Sequence, residues 1–346
     1  MSRASRVVVL DADGVFAIEE IDLPEPAPHQ VVLDVFASGI QHEQVLLAQE
    51  PPERPAVVGC EASGRVVAVG GAVTRVVPGD VVLVTPVAAE ATERQPEPVT
   101  LTLHDGTTVR AEPVFTWATT AVVDEQHVTP LPAAVFDREA AALLGDTVRR
   151  AVAAIDAATA AGATTGIAVF GAGAAGQAIL LVARAAGIEP RIAVDSNPAR
   201  LDRAKVAGAT DVVTATSGGD AIAAVKAIAG SGVQVVVDCI DEHTSAPRPG
   251  AGALATGGLA ILHGARGTAH RRTLLQEVAA EHGYAATADD DPTTVARCIA
   301  LFESRSIDPS VVVADRFTIE QVNEATMRVE EGSIPGAAIL VFEPVR

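Results

Sequence analysis

Over the first third of the chain, apolar residues recur in short β-branched runs separated by Gly and Pro. These are Val7 to Leu10, Val31 to Phe36, Gly64 to Val69 and Val81 to Val84, the last entered through Pro78-Gly79-Asp80. Runs of this length bounded by turn residues predict strands, and their density from Arg6 to about Phe136 predicts an all-β region, a small barrel. Val87 to Pro98 is polar and rich in Pro and Glu, and predicts a surface loop. Thr100 to Leu103 and Thr107 to Arg110 flank His104-Asp105-Gly106, which predicts a hairpin. From Asp137 to Ala163 the period lengthens to Ala and Leu at helical spacing, predicting one helix with Asp137 as N-cap and Gly162 beyond its C-terminus. Strands and helices then alternate: Asp211 to Thr214, an Ala-rich helix from Ala221 to Ala229, Val233 to Asp238, and Leu259 to His263 after Gly257-Gly258. That alternation implies a parallel sheet with helices on both faces. A final helix, Ile319 to Glu331, and a strand, Ala338 to Phe342, return to the β-rich texture.

The most informative stretch is Ile167 to Asp195, where an apolar run ends in Gly171-Ala172-Gly173-Ala174-Ala175-Gly176, passes into a helix-length apolar segment and returns through Ile192 to Val194 to an acid. Strand, glycine turn, helix, strand and acid is the order of a dinucleotide-binding unit, and Asp195 lies 19 residues beyond Gly176 where the expected spacing is about 20. The glycines divide the work into a tight turn, close approach of backbone to pyrophosphate, and packing of helix on strand. Amides at the helix start face the diphosphate, assisted by the helix dipole. Asp195 would accept hydrogen bonds from the adenosine ribose and repel a 2′-phosphate, which favours NAD over NADP; Ser196 supplies no cation, and Arg200 is the nearby base that opposes this choice.

Composition narrows the class. The 346 residues suffice for two domains, and 49% hydrophobic with 20% charged residues describes a folded globular protein. A net charge of −19 repels phosphate backbones, and 3% aromatic residues leave little for base stacking, so nucleic acid is not an expected partner. Apolar segments are interrupted by charge, Gly or Pro, so no membrane span is expected, and MSRASRVVVLDADG lacks a secretory pattern, which leads us to expect a cytoplasmic protein. Cys60, Cys239 and Cys298 are too far apart for a disulfide framework or a Cys-x-x-Cys zinc site. Cys239 and Cys298 read as small buried hydrophobes.

With the β-region first, the dinucleotide unit inserted and the C-terminus returning, the chain resembles the medium-chain dehydrogenase/reductase family, in its zinc alcohol dehydrogenase branch. The residues that carry this are Gly59-Cys60-Glu61-Ala62-Ser63-Gly64-Arg65-Val66-Val67-Ala68-Val69-Gly70, Pro78-Gly79-Asp80, Gly171 to Gly176, Asp195 to Leu201, Gly257-Gly258 and Ile339 to Phe342. The resemblance implies an α/β fold: a doubly wound parallel-sheet (Rossmann) domain at 141–289, and a mostly β, GroES-like barrel domain built from 1–140 and 290–346. It implies an NAD(H)-dependent oxidoreductase that transfers hydride between nicotinamide and a small carbonyl, alcohol or activated double bond. A homodimer is implied too, with Tyr284 to Thr287 as candidate edge strand.

Where the resemblance places the catalytic zinc ligands, this chain has Gln41, the sequence Gly59-Cys60-Glu61, and Asp146. Cys60 and Asp146 are legitimate zinc ligands by type and Glu61 could be recruited, but a neutral amide is a poor one, so zinc is not expected. The segment where the family carries a structural-zinc lobe, near Val87 to Arg110, has no cysteine. A proton carrier is then needed, and Glu43 stands where the family has its relay hydroxyl; its alternative is a surface residue beside a helix start. Asp146 is a second candidate, its alternatives being an N-cap or an ion pair with Arg149 or Arg150. Gln41 and Cys60 complete the expected catalytic group. The resemblance aligns His42 with a basic residue on the cofactor pyrophosphate and adds Ile240 and Gly264 to the cofactor contacts. Arg149 and Arg150 could clamp a substrate carboxylate or phosphate, or pair with Asp146. A catalytically silent NAD-binding protein, or a redox-neutral enzyme with tightly held NAD, is the alternative; the polarity kept at these positions favours an enzyme.

Overall fold

The computed structural model describes residues 3–49, 52–90, 93–111, 114–132, 137–215, 218–240, 251–263, 283–286 and 291–343. The chain divides into two units, Met1–Asp146 with Val313–Arg346, and Thr147–Val312.

The first unit contains β1 (Arg3–Leu10), β2 (Phe16–Leu23), β3 (Gln30–Ile40), a short helix α1 (His42–Leu46), β4 (Ala56–Val57), β5 (Ala62–Val69), β6 (Val81–Val84), β7 (Val99–Thr102), β8 (Thr108–Ala111), β9 (Thr120–Asp124) and β10 (Val128–Pro130). β1 pairs antiparallel with β2 and β4. The larger sheet is organised on β3, which pairs antiparallel with β5, with β9 and with the C-terminal strand Ala337–Val341. β3 is buried along nearly its whole length, so it reads as a continuous apolar run rather than an alternating one. Its register shifts between Val32 and Leu33 and between Val35 and Ala37. The pairing Ser38↔Ala62 sets the end of β3 beside the start of β5, which brings Gln41 and Glu61 together. The hairpin of β7 and β8 alternates buried Val99, Leu101, Val109 and Ala111 with exposed Thr100, Thr102, Thr108 and Arg110, so it lays one apolar face on the unit's core. Arg94 ties the preceding loop down through a bidentate pair with the buried carboxylate of Asp124.

The second unit contains α2 (Thr147–Ala160), β11 (Ile167–Phe170), α3 (Ala174–Ala185), β12 (Arg191–Asp195), α4 (Pro198–Ala207), β13 (Asp211–Thr214), α5 (Gly218–Ala229), β14 (Val233–Asp238), β15 (Leu254–Leu262), β16 (Gly283–Ala286) and α6 (Thr293–Glu303). Its six strands run parallel in the order β13-β12-β11-β14-β15-β16. β11 and β12 are buried on both faces, as parallel strands covered by helices must be. The order reverses direction beside β11, so the turn leaving β11 opens at the switch point of the sheet, where such folds bind ligands. β16 is the edge strand foreseen from Tyr284; Thr287 lies outside the described residues.

Three sequence expectations change. The single helix expected from Asp137 to Ala163 is two elements, a 3-10 turn at Ala140–Leu144, which Asp137 caps through the Ala140 amide, and α2. The chain breaks at Gly145-Asp146, where a Cβ on residue 145 would lie 2.5 Å from the Val84 carbonyl oxygen and 2.8 Å from the Glu61 Cβ. The second division between units falls after α6 rather than before it: α6 packs against α2 and pairs Arg297 with Asp156 at 3.0 Å. The strands β2 and β9 add to those read from sequence. β2 lacks regular alternation, and β9 is buried at every position.

Candidate active site

The candidate cofactor site lies in the second unit, and each glycine of its turn has a separate geometric reason. Gly171 takes φ +91°, and a Cβ there would sit 2.8 Å from the Cys239 carbonyl oxygen. A Cβ on Gly176 would lie 2.0 Å from the Gly171 oxygen and 3.2 Å from Val169 Cγ1, so this position lets α3 close on β11. At Gly173 a Cβ would meet nothing within 4 Å. Gly173 is the N-cap of α3 and has no side chain to cover the first-turn amides, and the open space before it is where a diphosphate fits. Ala174 and Ala175 form the first turn and are half-buried.

Asp195 ends β12 and is 8% exposed. Its Oδ2 accepts from the Ala172 amide at 2.8 Å and its Oδ1 from the Asn197 amide at 2.8 Å, with Arg200 3.9 Å away. The carboxylate is thereby fixed between the glycine turn and the start of α4, and two acceptor oxygens can take more hydrogen bonds than two. Ser196 is exposed beside it. Ile240 follows β14 across from Gly171, its amide donating to Asp238 Oδ1 at 3.0 Å. Gly264 lies outside the described residues. Burial and the neighbouring Asp238 push the Cys239 thiol well up, so it stays protonated and unreactive. Cys298 is fully buried. These residues fit a nicotinamide dinucleotide.

The polar cluster of the first unit centres on Glu61, which is 0% exposed. Gln41, delivered by the end of β3, donates from Nε2 to Glu61 Oε1 at 3.2 Å and to Asp146 Oδ2 at 2.9 Å. The Asp146 amide donates to Glu61 Oε2 at 2.8 Å. The Glu61 carbonyl accepts from the hydroxyls of Ser38 and Thr116, and Trp117 Nε1 holds the Gly39 carbonyl at 3.0 Å. Gly39 is required here, because a Cβ on it would lie 2.1 Å from Glu61 Oε1.

The sequence singled out Gln41, Cys60 and Asp146, with Glu61 only as a residue that could be recruited; the structure instead joins Gln41 and Asp146 through Glu61, and the residues that hold them were missed. Gln44 is also among those missed. It is buried on α1, with its amide oriented so that Oε1 accepts from the amides of Gly59 at 3.0 Å and Cys60 at 3.1 Å. Its place three residues after Gln41, on the same helix face, is the signal that could have found it. Cys60 is half-buried. His42 opens α1 half-buried, while Glu43 is exposed in its first turn, so the desolvation expected to prepare Glu43 as an acid–base is not seen. On α2, Arg149 is 1% exposed and Arg150 half-buried. Neither is shown by its position to reach a substrate.

Comparison with known proteins assigns a family model to each unit. Residues 27–133 match the model of the alcohol dehydrogenase GroES-like domain, and residues 174–284 that of the zinc-binding dehydrogenase. The chain belongs to the medium-chain alcohol dehydrogenase family. It is 27% identical to a sorbitol dehydrogenase of Ovis aries over 94% of this chain and 93% of that one. It superposes with a TM-score of 0.82 and 25% identity on an alcohol dehydrogenase zinc-binding domain protein of Burkholderia ambifaria, covering 99% of this chain and 100% of the other. An alcohol dehydrogenase of Escherichia coli complexed with NADH shares the fold at a TM-score of 0.77 and 20% identity, over 99% and 100%. The family assignment makes the protein a dehydrogenase/reductase that uses a nicotinamide dinucleotide.

The zinc of such enzymes does not fit the donors found here. Gln41 presents N–H groups, not lone pairs, to the two carboxylates, and both oxygens of Glu61 already accept from protein donors. Among the described residues, no three His, Cys, Asp or Glu side chains converge as a metal group. No described helix is long and apolar enough to cross a membrane.

Proposed function

We propose that the protein is an NAD(H)-dependent oxidoreductase that transfers hydride between nicotinamide and a small carbonyl, alcohol or activated double bond without a catalytic zinc. The observation that carries this reading is the Gln41 amide, which donates to Glu61 and Asp146 at the position of the expected metal ligands. The cofactor, when bound, supplies or accepts the hydride. Asp195 accepts from the ribose hydroxyls while holding the glycine turn through Ala172, and the first turn of α3 faces the diphosphate. The preference for NAD rests on Asp195, which repels a 2′-phosphate.

Without a Lewis acid, the proton that accompanies the hydride is handled by side chains. Asp146 is the primary candidate. Its Oδ2 is oriented by Gln41 and its backbone by Glu61, so the carboxylate is presented in one geometry. Glu43, exposed on α1, is a second candidate that becomes an effective acid–base only if bound substrate desolvates it. Arg150, half-buried on α2, is the candidate of the two for an anionic substrate group. A homodimer built on the edge strand β16 is part of the same reading.

The test is turnover of NADH on a panel of small carbonyls and activated alkenes, before and after exhaustive chelation. The reading predicts turnover that survives chelation. Turnover lost on chelation and restored by zinc would contradict it.

A further inference from the structure

We propose that Gln41 itself keeps a divalent cation out of this cluster: its amide nitrogen stands where the cation would be, and one substitution at position 41 turns Glu61 and Asp146 into cation ligands. This rests on the zinc-free reading above and assigns the residue responsible for it.

Oxygens from two separate segments, Glu61 Oε1 and Asp146 Oδ2, converge on one atom, Gln41 Nε2, at 3.2 and 2.9 Å. Convergence of carboxylate oxygens on one point is what a divalent cation demands, at about 2.0–2.2 Å for zinc. Here each oxygen faces an amide N–H instead. The –NH2 group has two hydrogens and meets two acceptors, so it satisfies both carboxylates without a net charge. A cation entering beside it would meet the positive end of the amide dipole and would have to break two hydrogen bonds to buried carboxylates.

The Glu61 half of the ligand frame is held by groups other than Gln41. Glu61 Oε2 is fixed by the Asp146 amide, and the Glu61 carbonyl by Ser38 and Thr116. Gly39 and Gly145 fit tightly round the Glu61 side chain, since a Cβ on either would lie 2.1 Å from Oε1 or 2.8 Å from Cβ respectively. Removing the amide therefore vacates the point on which the buried Glu61 Oε1 and Asp146 Oδ2 converge. Gln41→Cys adds a thiolate ligand to that point, and Gln41→Glu adds a third carboxylate whose repulsion a cation relieves.

The experiment uses the full chain, wild type and both variants, purified free of metal and titrated with zinc chloride. Zinc per chain after dialysis and the thermal midpoint with and without zinc are the readouts. Wild type should take up no stoichiometric zinc and show no shift in midpoint. Each variant should retain about one equivalent and gain a zinc-dependent rise in midpoint. Folded variants that stay zinc-free with unshifted midpoints would overturn the inference and leave the zinc-free reading standing. Variants that fail to fold even with zinc supplied would overturn it equally, because the inference holds that zinc completes their cluster. Stoichiometric zinc in the wild type, lost on Cys60→Ala, would bring down the zinc-free reading itself.

Discussion

Gly173→Ala separates cofactor binding from folding at a single atom. The backbone there has φ −73°, and a Cβ would meet nothing within 4 Å, so the fold has room for the methyl group. Losing Gly reduces the entropy of the unfolded chain, worth about 0.4–1 kcal/mol, while Ala is a poorer N-cap than Gly by roughly 0.5 kcal/mol. The two effects offset, and urea unfolding should move by no more than about 0.5 kcal/mol. The same methyl group would project into the space assigned to the diphosphate. Overpacking of that kind costs about 1–3 kcal/mol, which is a rise in the NADH dissociation constant of roughly 5- to 150-fold. Gly176→Ala is the contrast, because its Cβ would lie 2.0 Å from a backbone oxygen that cannot move without distorting the turn, and it should lose about 1–3 kcal/mol of stability. NADH fluorescence titration and urea denaturation read the two effects separately. A Gly173→Ala chain that binds NADH with unchanged affinity would refute the placement of the diphosphate, whatever its stability.

Asp195→Ala should weaken NADH by about 1.5–3 kcal/mol for a lost charged hydrogen bond and narrow or reverse the preference over NADPH; an unchanged ratio of dissociation constants would remove Asp195 from ribose recognition. Gly39→Ala drives a methyl group onto Glu61 Oε1, and strain with a displaced carboxylate should cost about 2–4 kcal/mol in urea unfolding; a loss below about 0.5 kcal/mol would show that Glu61 is free to move. Stability should also fall in acid, in two stages. Burial holds the His127 imidazole below its ordinary 6.5 although its Nδ1–H donates to the Thr85 carbonyl at 3.0 Å, so the unfolded chain binds a proton that the folded one refuses, and stability declines as pH drops through 6.5. Burial alone would raise Asp124 and Glu125, but Arg94 with backbone amides, and Thr74 with His29, outweigh it and hold both carboxyls low. Their contribution is present above their ordinary 3.8 and 4.5 and is lost below them. Denaturant midpoints measured from pH 8 to pH 3 check both stages, and a His127→Gln variant should flatten the upper one.

What the sequence made legible follows from where local pattern and tertiary packing agree. The glycine turn, its helix and Asp195 are contiguous, and each residue's role follows from backbone geometry within about thirty positions, so the structure adds distances rather than new members. The cluster on Glu61 is the opposite case. Gln41, Glu61 and Asp146 come from β3, β5 and the break before α2, and only the register Ser38↔Ala62 and the tight site at Gly145 bring them into contact. Their helpers Ser38, Thr116 and Trp117 carry no local signal of chemistry, because a hydroxyl or indole N–H facing a backbone group is identified only once the partner strand is in place. The broken helix at Gly145-Asp146 carries no local signal: Ala and Leu at helical spacing run up to it, and Gly145 keeps helical dihedrals, φ −68° and ψ −39°.

The most direct measurement for the account as a whole is a paired titration of metal-analysed, chelated wild-type protein with NADH and NADPH, followed by addition of zinc. The account predicts that the zinc-free chain binds NADH, binds it more tightly than NADPH, and is indifferent to added zinc. NADH binding that is absent from the zinc-free chain and appears with one equivalent of zinc, or tighter binding of NADPH, would contradict it.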